Sequence, residues 1–214
     1  MIAAVFALQA GLIPPALGLE ELGAAPLKPH LDRIYAIATT DDLMREYASL
    51  HGTGPVGLGI LPDPADTTRY IAFMGQSGLG LPDRDYYLKE DAQFAAYRDA
   101  YKQYIATVLA LAGIGEADAK ADAILAFETR IAEVHWTQEE SRDIQKIYNP
   151  MSQAQLAELA PEMNWSLILQ ETGLSSVETF VVAQPSAIDK EAEIFAAAPL
   201  DFLKDYLAFH LIRG

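Results

Sequence analysis

The stretch FAAYRDAYKQYIATVLAL, residues 94–111, decides the fold class. Phe94, Tyr97, Tyr101, Tyr104, Val108 and Leu111 are separated by steps of three and four, the spacing of one face of an α-helix. Gly113 follows as a C-terminal stop. Ile124, Phe127, Ile131 and Val134 repeat the stepping, so a second helix is expected from about Glu116. The connector Gly113-Ile114-Gly115 is short enough to set the two helices antiparallel and side by side. The expected class is therefore mainly α, a multi-helix, bundle-like domain.

Reading outward adds shorter elements. Upstream, residues 27–37 form a weak helix with Leu31, Ile34 and Tyr35 at helical spacing. Thr40, Asp41 and Asp42 supply a cap and first-turn negative charge for a helix through Leu50, ended by Gly52 and Gly54. Residues 56–61 and 70–74 favour strand, with dense turn chemistry at Leu61-Pro62-Asp63-Pro64-Ala65-Asp66 between them. They predict a small antiparallel β-ribbon with a longish loop. Downstream, residues 141–150 read as irregular. Ser152 caps a short helix to Leu159, and Asn164 caps another that Gly173 closes. A small extra strand fits residues 178–183, and two helices fit residues 186–197 and 200–212, the last with Leu203, Tyr206, Leu207 and His210 on its apolar face.

Composition limits the function. The 214 residues are 51% hydrophobic and 21% charged, an ordinary globular balance. A net charge of −15 repels phosphate backbones, which argues against nucleic acid as a partner. There is no cysteine, so disulfides, thiolate metal sites and a cysteine nucleophile are excluded. Residues 1–19 are apolar and uncharged but interrupted by Gln9, Gly11, Pro14 and Pro15. They lack the basic start of a signal peptide and are too broken to span a bilayer. A short apolar helix against the core is expected there, left unassigned to any domain, and no membrane segment is expected in the chain.

No motif in the chain carries chemistry of its own. The four histidines, His30, His51, His135 and His210, are followed by Leu31, Gly52, Trp136 and Leu211. The H-E-x-x-H zinc helix is therefore absent. His135 and Glu139, four apart, are two ligands where a catalytic zinc has three. The bland alternative packs His135-Trp136 at a helix end, with Glu139 and Glu140 in solvent. Glu128 and Glu133 read as a solvated helix face, since acids are seldom buried unpaired. Neither Gly57-Leu58-Gly59 nor Gly78-Leu79-Gly80 completes a dinucleotide loop. No catalytic or metal residue is assigned, and substrate contacts stay open.

One connector is too particular for a generic loop: Gly78-Leu79-Gly80-Leu81-Pro82-Asp83-Arg84-Asp85-Tyr86-Tyr87. The glycines permit backbone angles barred to other residues, and Pro82 pushes Leu81 towards an extended conformation. Arg84 can fork to a carboxylate and pin the connector while Tyr86 and Tyr87 bury their rings, or it can face a peptide carboxylate. The string resembles a signature of the neprilysin-type zinc metallopeptidases, which include endothelin-converting enzyme and bacterial oligopeptidases. Further blocks extend the resemblance in order: His135-Trp136-Thr137, Ser141-Arg142-Asp143, Tyr148-Asn149-Pro150-Met151-Ser152, Leu159-Ala160-Pro161 with Asn164-Trp165, and Val181-Val182-Ala183-Gln184-Pro185.

The resemblance covers residues 20–214 and implies part of the family's N-terminal, non-catalytic helical domain. The signature residues are expected to be architectural. The implied activity is zinc-dependent cleavage of peptides, with the zinc cofactor, the H-E-x-x-H helix and the substrate-binding motif all in a C-terminal catalytic domain that is missing here. That domain and peptide substrates would be the partners, in an extracytoplasmic (periplasmic or cell-envelope) setting. The alternative is a helical interaction or scaffold module with no peptidase role.

Overall fold

A computed structural model describes residues 24–50 and 54–214. The apolar segment 1–19, with its expected helix, and His51 lie outside the described residues. A 3₁₀ turn, Ala25–Leu27, leads into α1 (Lys28–Tyr35). Helix α2 (Thr40–Ser49) begins one residue later than its cap: Thr39, not Thr40, accepts the Asp42 N–H. The long pair is α4 (Ala92–Leu111) and α5 (Ala117–Val134). Asp91 caps α4, accepting from Gln93 and Phe94. Gly113, at φ +78°, closes it in the left-handed region where a Cβ is costly.

The ribbon predicted from sequence is present but is half of a larger sheet. Strands β1 (Val56–Asp63) and β2 (Asp66–Gln76) pair antiparallel through a turn of only Pro64 and Ala65, so the expected long loop is strand. β4 (Thr179–Val182) then adds parallel to β2, and β3 (Asn149–Ser152) adds antiparallel to β4, giving the order β1-β2-β4-β3. The sheet is mixed rather than purely antiparallel. Part of the segment read as irregular, residues 149–150, is thus an edge strand, where Pro150 lacks a donor that the open side does not need.

Short helices fill the connections: α3 (Asp85–Leu88), α6 (Ile144–Ile147), α7 (Gln153–Leu159) and α8 (Trp165–Glu171). Ser152 and Gln155 form a reciprocal capping box on α7. Helices α9 (Pro185–Ala196) and α10 (Leu200–Arg213) end the chain.

Two apolar cores result. The helical one gathers Leu31, Ile34, Ile105, Leu109, Ile124, Ile131, Phe195, Leu207 and Phe209 from α1, α4, α5, α9 and α10. The other lies under the sheet, where Ala72, Met74, Phe180 and Val182 meet Leu156, Trp165, Ile168, Ile188 and Ala192. Helix α9 serves both, with Ile188 and Ala192 in one and Phe195 in the other. Fully burying a side chain of this size stabilises by roughly 1.5–3 kcal/mol, so the two cores dominate the folding energy. Between them runs the connector from β2 to α3.

Candidate functional site

At that joint the chain leaves a cleft of about 350 Å³, lined by residues of three segments: Gln76 to Arg84, His135 to Ser141, and Gln184. They belong to three separate blocks of the sequence pattern, which the fold brings to one place.

Gln76 fixes the first two segments to each other. Its side chain accepts the Trp136 N–H at 2.7 Å and donates to the Trp136 carbonyl at 3.2 Å, as a neighbouring strand would. The Gln76 N–H in turn donates to Gln184 Oε1. The Trp136 indole N–H donates to Ser186 Oγ at 2.8 Å, tying this wall to α9.

Ser77 is clamped from both sides. Its N–H donates to Glu191 Oε2 at 3.3 Å, and its carbonyl lies 3.1 Å from His135 Nε2. The same Nε2 is 2.8 Å from Glu191 Oε1. A single ring N–H serves the carbonyl better, since Glu191 Oε1 has no well-directed donor. Burial pushes the Glu191 carboxyl up to about 7, the nearby His135 opposing the rise.

The connector is fitted around Tyr hydroxyls. Gly78, at φ +86°, passes its carbonyl to Tyr206 Oη at 2.6 Å. A Cβ on Gly80 would stand 1.6 Å from Tyr101 Oη. The Gly80 and Leu81 N–H groups both donate to Tyr87 Oη. Tyr87 Oη donates to Glu128 Oε2 at 2.6 Å, Tyr101 Oη lies 2.9 Å from the same oxygen, and His210 Nε2 is 2.9 Å from Oε1. Burial and the Glu128 charge push both tyrosine hydroxyls far above their ordinary range. Glu128 is therefore not on a solvated face: it is completely buried and is the hub of a four-residue network.

Arg84 also departs from expectation. It does not fork to a carboxylate; its Nε donates to the Ala132 carbonyl at 3.2 Å, in the last turn of α5. Asp83 accepts the Asp85 N–H at 2.8 Å and the Gln138 amide at 2.5 Å, while Asp85 pairs with Lys89 at 2.9 Å. Leu79 and Leu81 pack against the helical core, with Pro82 exposed. Tyr87 is buried; Tyr86 is half-buried, its ring 5.2 Å from that of Phe94.

The other signature residues lie around the cleft and under the sheet. Arg142 reaches the cleft's rim through Gln138 Oε1, and Asp143 caps α6. Tyr148 Oη donates to Asp63 Oδ1 at the ribbon's tip, where Arg69 holds Oδ2 through Nε and Nη2. Asn149 donates to the Lys146 and Val182 carbonyls. Pro150 is exposed, Met151 packs under the sheet, and the Trp165 indole N–H donates to the Ala160 carbonyl.

Zinc does not fit here. His135 and Glu191 are two potential ligands already turned to Ser77, and Glu139 is exposed. Among the described residues, no three His, Asp or Glu side chains gather to hold a metal. No helix among the described residues is long and apolar enough to cross a membrane.

Sequence reasoning missed Glu128 and Glu191. Both carried a signal: Glu128 is four residues after Ile124 and three before Ile131, and Glu191 three after Ile188 and four before Phe195. An acid inside an apolar stripe is buried with partners unless the helix turns that stripe outward.

The sequence and the fold both match known proteins. The chain is 27% identical to endothelin-converting enzyme 1 of Cavia porcellus over 211 residues, covering 91% of this chain and 28% of that protein. The human enzyme gives the same identity with 27% of its length covered. An inhibitor complex of Mycobacterium tuberculosis zinc metalloprotease ZMP1 superposes with a TM-score of 0.83 at 30% identity, over 98% of this chain and 32% of that one. PepO from Lactobacillus rhamnosis shares the fold, with a TM-score of 0.67 at 19% identity over 99% of this chain and 36% of its own. The chain thus spans less than a third of the endothelin-converting enzymes it matches. The model of peptidase family M13 matches residues 16–214, and the chain belongs to that family.

Proposed function

We propose that this chain is a non-catalytic, substrate-enclosing part of a zinc-dependent M13 endopeptidase that cleaves peptides. The observation that carries the reading is the pairing of a close structural match to a third of a zinc metalloprotease with a sequence lacking H-E-x-x-H. In the reading, a zinc held by the remainder of the protein would supply the activated water for attack on a peptide carbonyl. These residues supply wall and contact surface, and the working location is extracytoplasmic. The two packed cores and the clamped connector form a frame suited to that task. Purified chain should release no fluorophore from a quenched peptide substrate. Reproducible turnover abolished by a chelator would overturn the reading.

A further inference from the structure

We propose that the cleft between the connector and the end of α5 binds a carboxylate, with Arg84 as its cationic anchor. Arg84 is the cation among the lining residues. Its Nε is spent on the Ala132 carbonyl, which orients the guanidinium and leaves its two Nη groups. No carboxylate of the described residues lies within 4.0 Å of it. The nearby acids bond to other groups: Asp83 to Gln138 and the Asp85 N–H, Asp85 to Lys89, and Glu140 to Thr137, with Glu140 feeling the Arg84 charge only weakly and beyond contact distance. A half-buried arginine in a chain of net charge −15 has many acids to choose from, yet the fold keeps this one unpaired.

An oriented guanidinium fork matches a carboxylate through two parallel N–H···O bonds and loses little freedom on binding. Ser141 also lines the cleft; its Oγ accepts from Gln184 Nε2 at 3.4 Å, which leaves its O–H free to donate to an anion. The cleft's volume of about 350 Å³ falls in the range of small-molecule pockets. The bound group is a carboxylate of a short peptide, from either the chain end or an acidic side chain. Its peptide nature rests on the substrate-enclosing reading; the carboxylate chemistry rests on Arg84 alone.

Three probes titrated calorimetrically into the 214-residue chain test this: N-acetyl-glycyl-leucine as the free acid, the same dipeptide as its amide, and N-acetyl-glutamyl-glycine amide. One of the two acids should bind at least about tenfold more tightly than the neutral amide, the ratio expected for a charge-assisted bond. A lead for the free acid identifies the chain end as the source, and a lead for the glutamyl probe identifies the side chain. Arg84→Lys keeps the charge but loses the fork and should remove most of the preference; Arg84→Met should remove all of it. Equal binding of acids and amide, or no saturable heat with any probe, overturns the proposal. So does an undiminished preference in folded Arg84→Met. The acid–amide comparison uses the unaltered chain, so it decides even if a variant does not fold. Loss of the acid preference leaves the inactivity predicted above untouched, whereas chelator-sensitive turnover sinks that reading and not this one.

Discussion

Gly80 shows how a single hydrogen atom in place of a methyl determines the connector. Any Cβ there would lie 1.6 Å from Tyr101 Oη and 2.6 Å from its Cζ. Gly80→Ala should therefore destabilise by about 1–3 kcal/mol or more, the cost of overpacking a filled site. Tyr101→Phe should not rescue it, because the ring carbon still clashes; urea unfolding of the single and double variants checks this. Recovery in the double variant would show that only the hydroxyl matters. Glu128 is the other residue on which the connector depends. Glu128→Ala leaves the Tyr87 and Tyr101 hydroxyls and His210 facing a void and should cost about 3–5 kcal/mol, as for removal of one partner from a buried polar set. Glu128→Gln keeps the shape and one acceptor, so its loss should be clearly smaller in the same denaturant series.

Elements differ in how plainly the sequence announces them. Helices α4 and α5 are legible because their apolar residues keep helical spacing over many turns, and their bounds fall within two residues of expectation. The sheet is less so. β4 is readable as a strand, but its parallel partner β2 lies about a hundred residues away, and nothing local in Phe180, Val181 or Val182 names Ala72, Phe73 and Met74 as mates. The cleft is illegible for the same reason: its walls come from three distant segments, none of which names the others. At the ribbon's tip, one tyrosine does an element's work. Tyr148 and Arg69 hold Asp63, whose carboxyl sits below the ordinary aspartate range, chiefly through the Ala65 N–H and then its side-chain donors. Its stabilisation is present above the unfolded-state pKa and is lost as pH falls through the lower folded value. Tyr148→Phe should speed hydrogen exchange of amides in residues 60–70 while leaving exchange in α4 and α5 unchanged, since local opening need not unfold the cores. Equal acceleration throughout would show that the tip is coupled to global stability.

At the scale of the molecule, the two cores are joined by α9 and by the clamp of His135 and Glu191 on Ser77. The joint carries a cost that depends on pH. Glu191 has its carboxyl raised by burial from 4.5 to about 7. Below the unfolded value both states are protonated and the group contributes nothing. Between the two values the folded state holds a proton that the unfolded state has released, so stability falls as pH rises. Above the folded value the burial cost is fully expressed. The chain's negative charge also weakens the fold as pH rises, through self-repulsion, and adds to the absolute curve in the same direction. The difference between the protein and Glu191→Gln removes that background. Gln keeps an acceptor for the Ser77 N–H and does not titrate. The native chain should lose stability relative to Glu191→Gln between about pH 4.5 and 7, and the gap should level off above that window. Parallel curves would mean that Glu191 stays ionised throughout and that the joint is insensitive to pH.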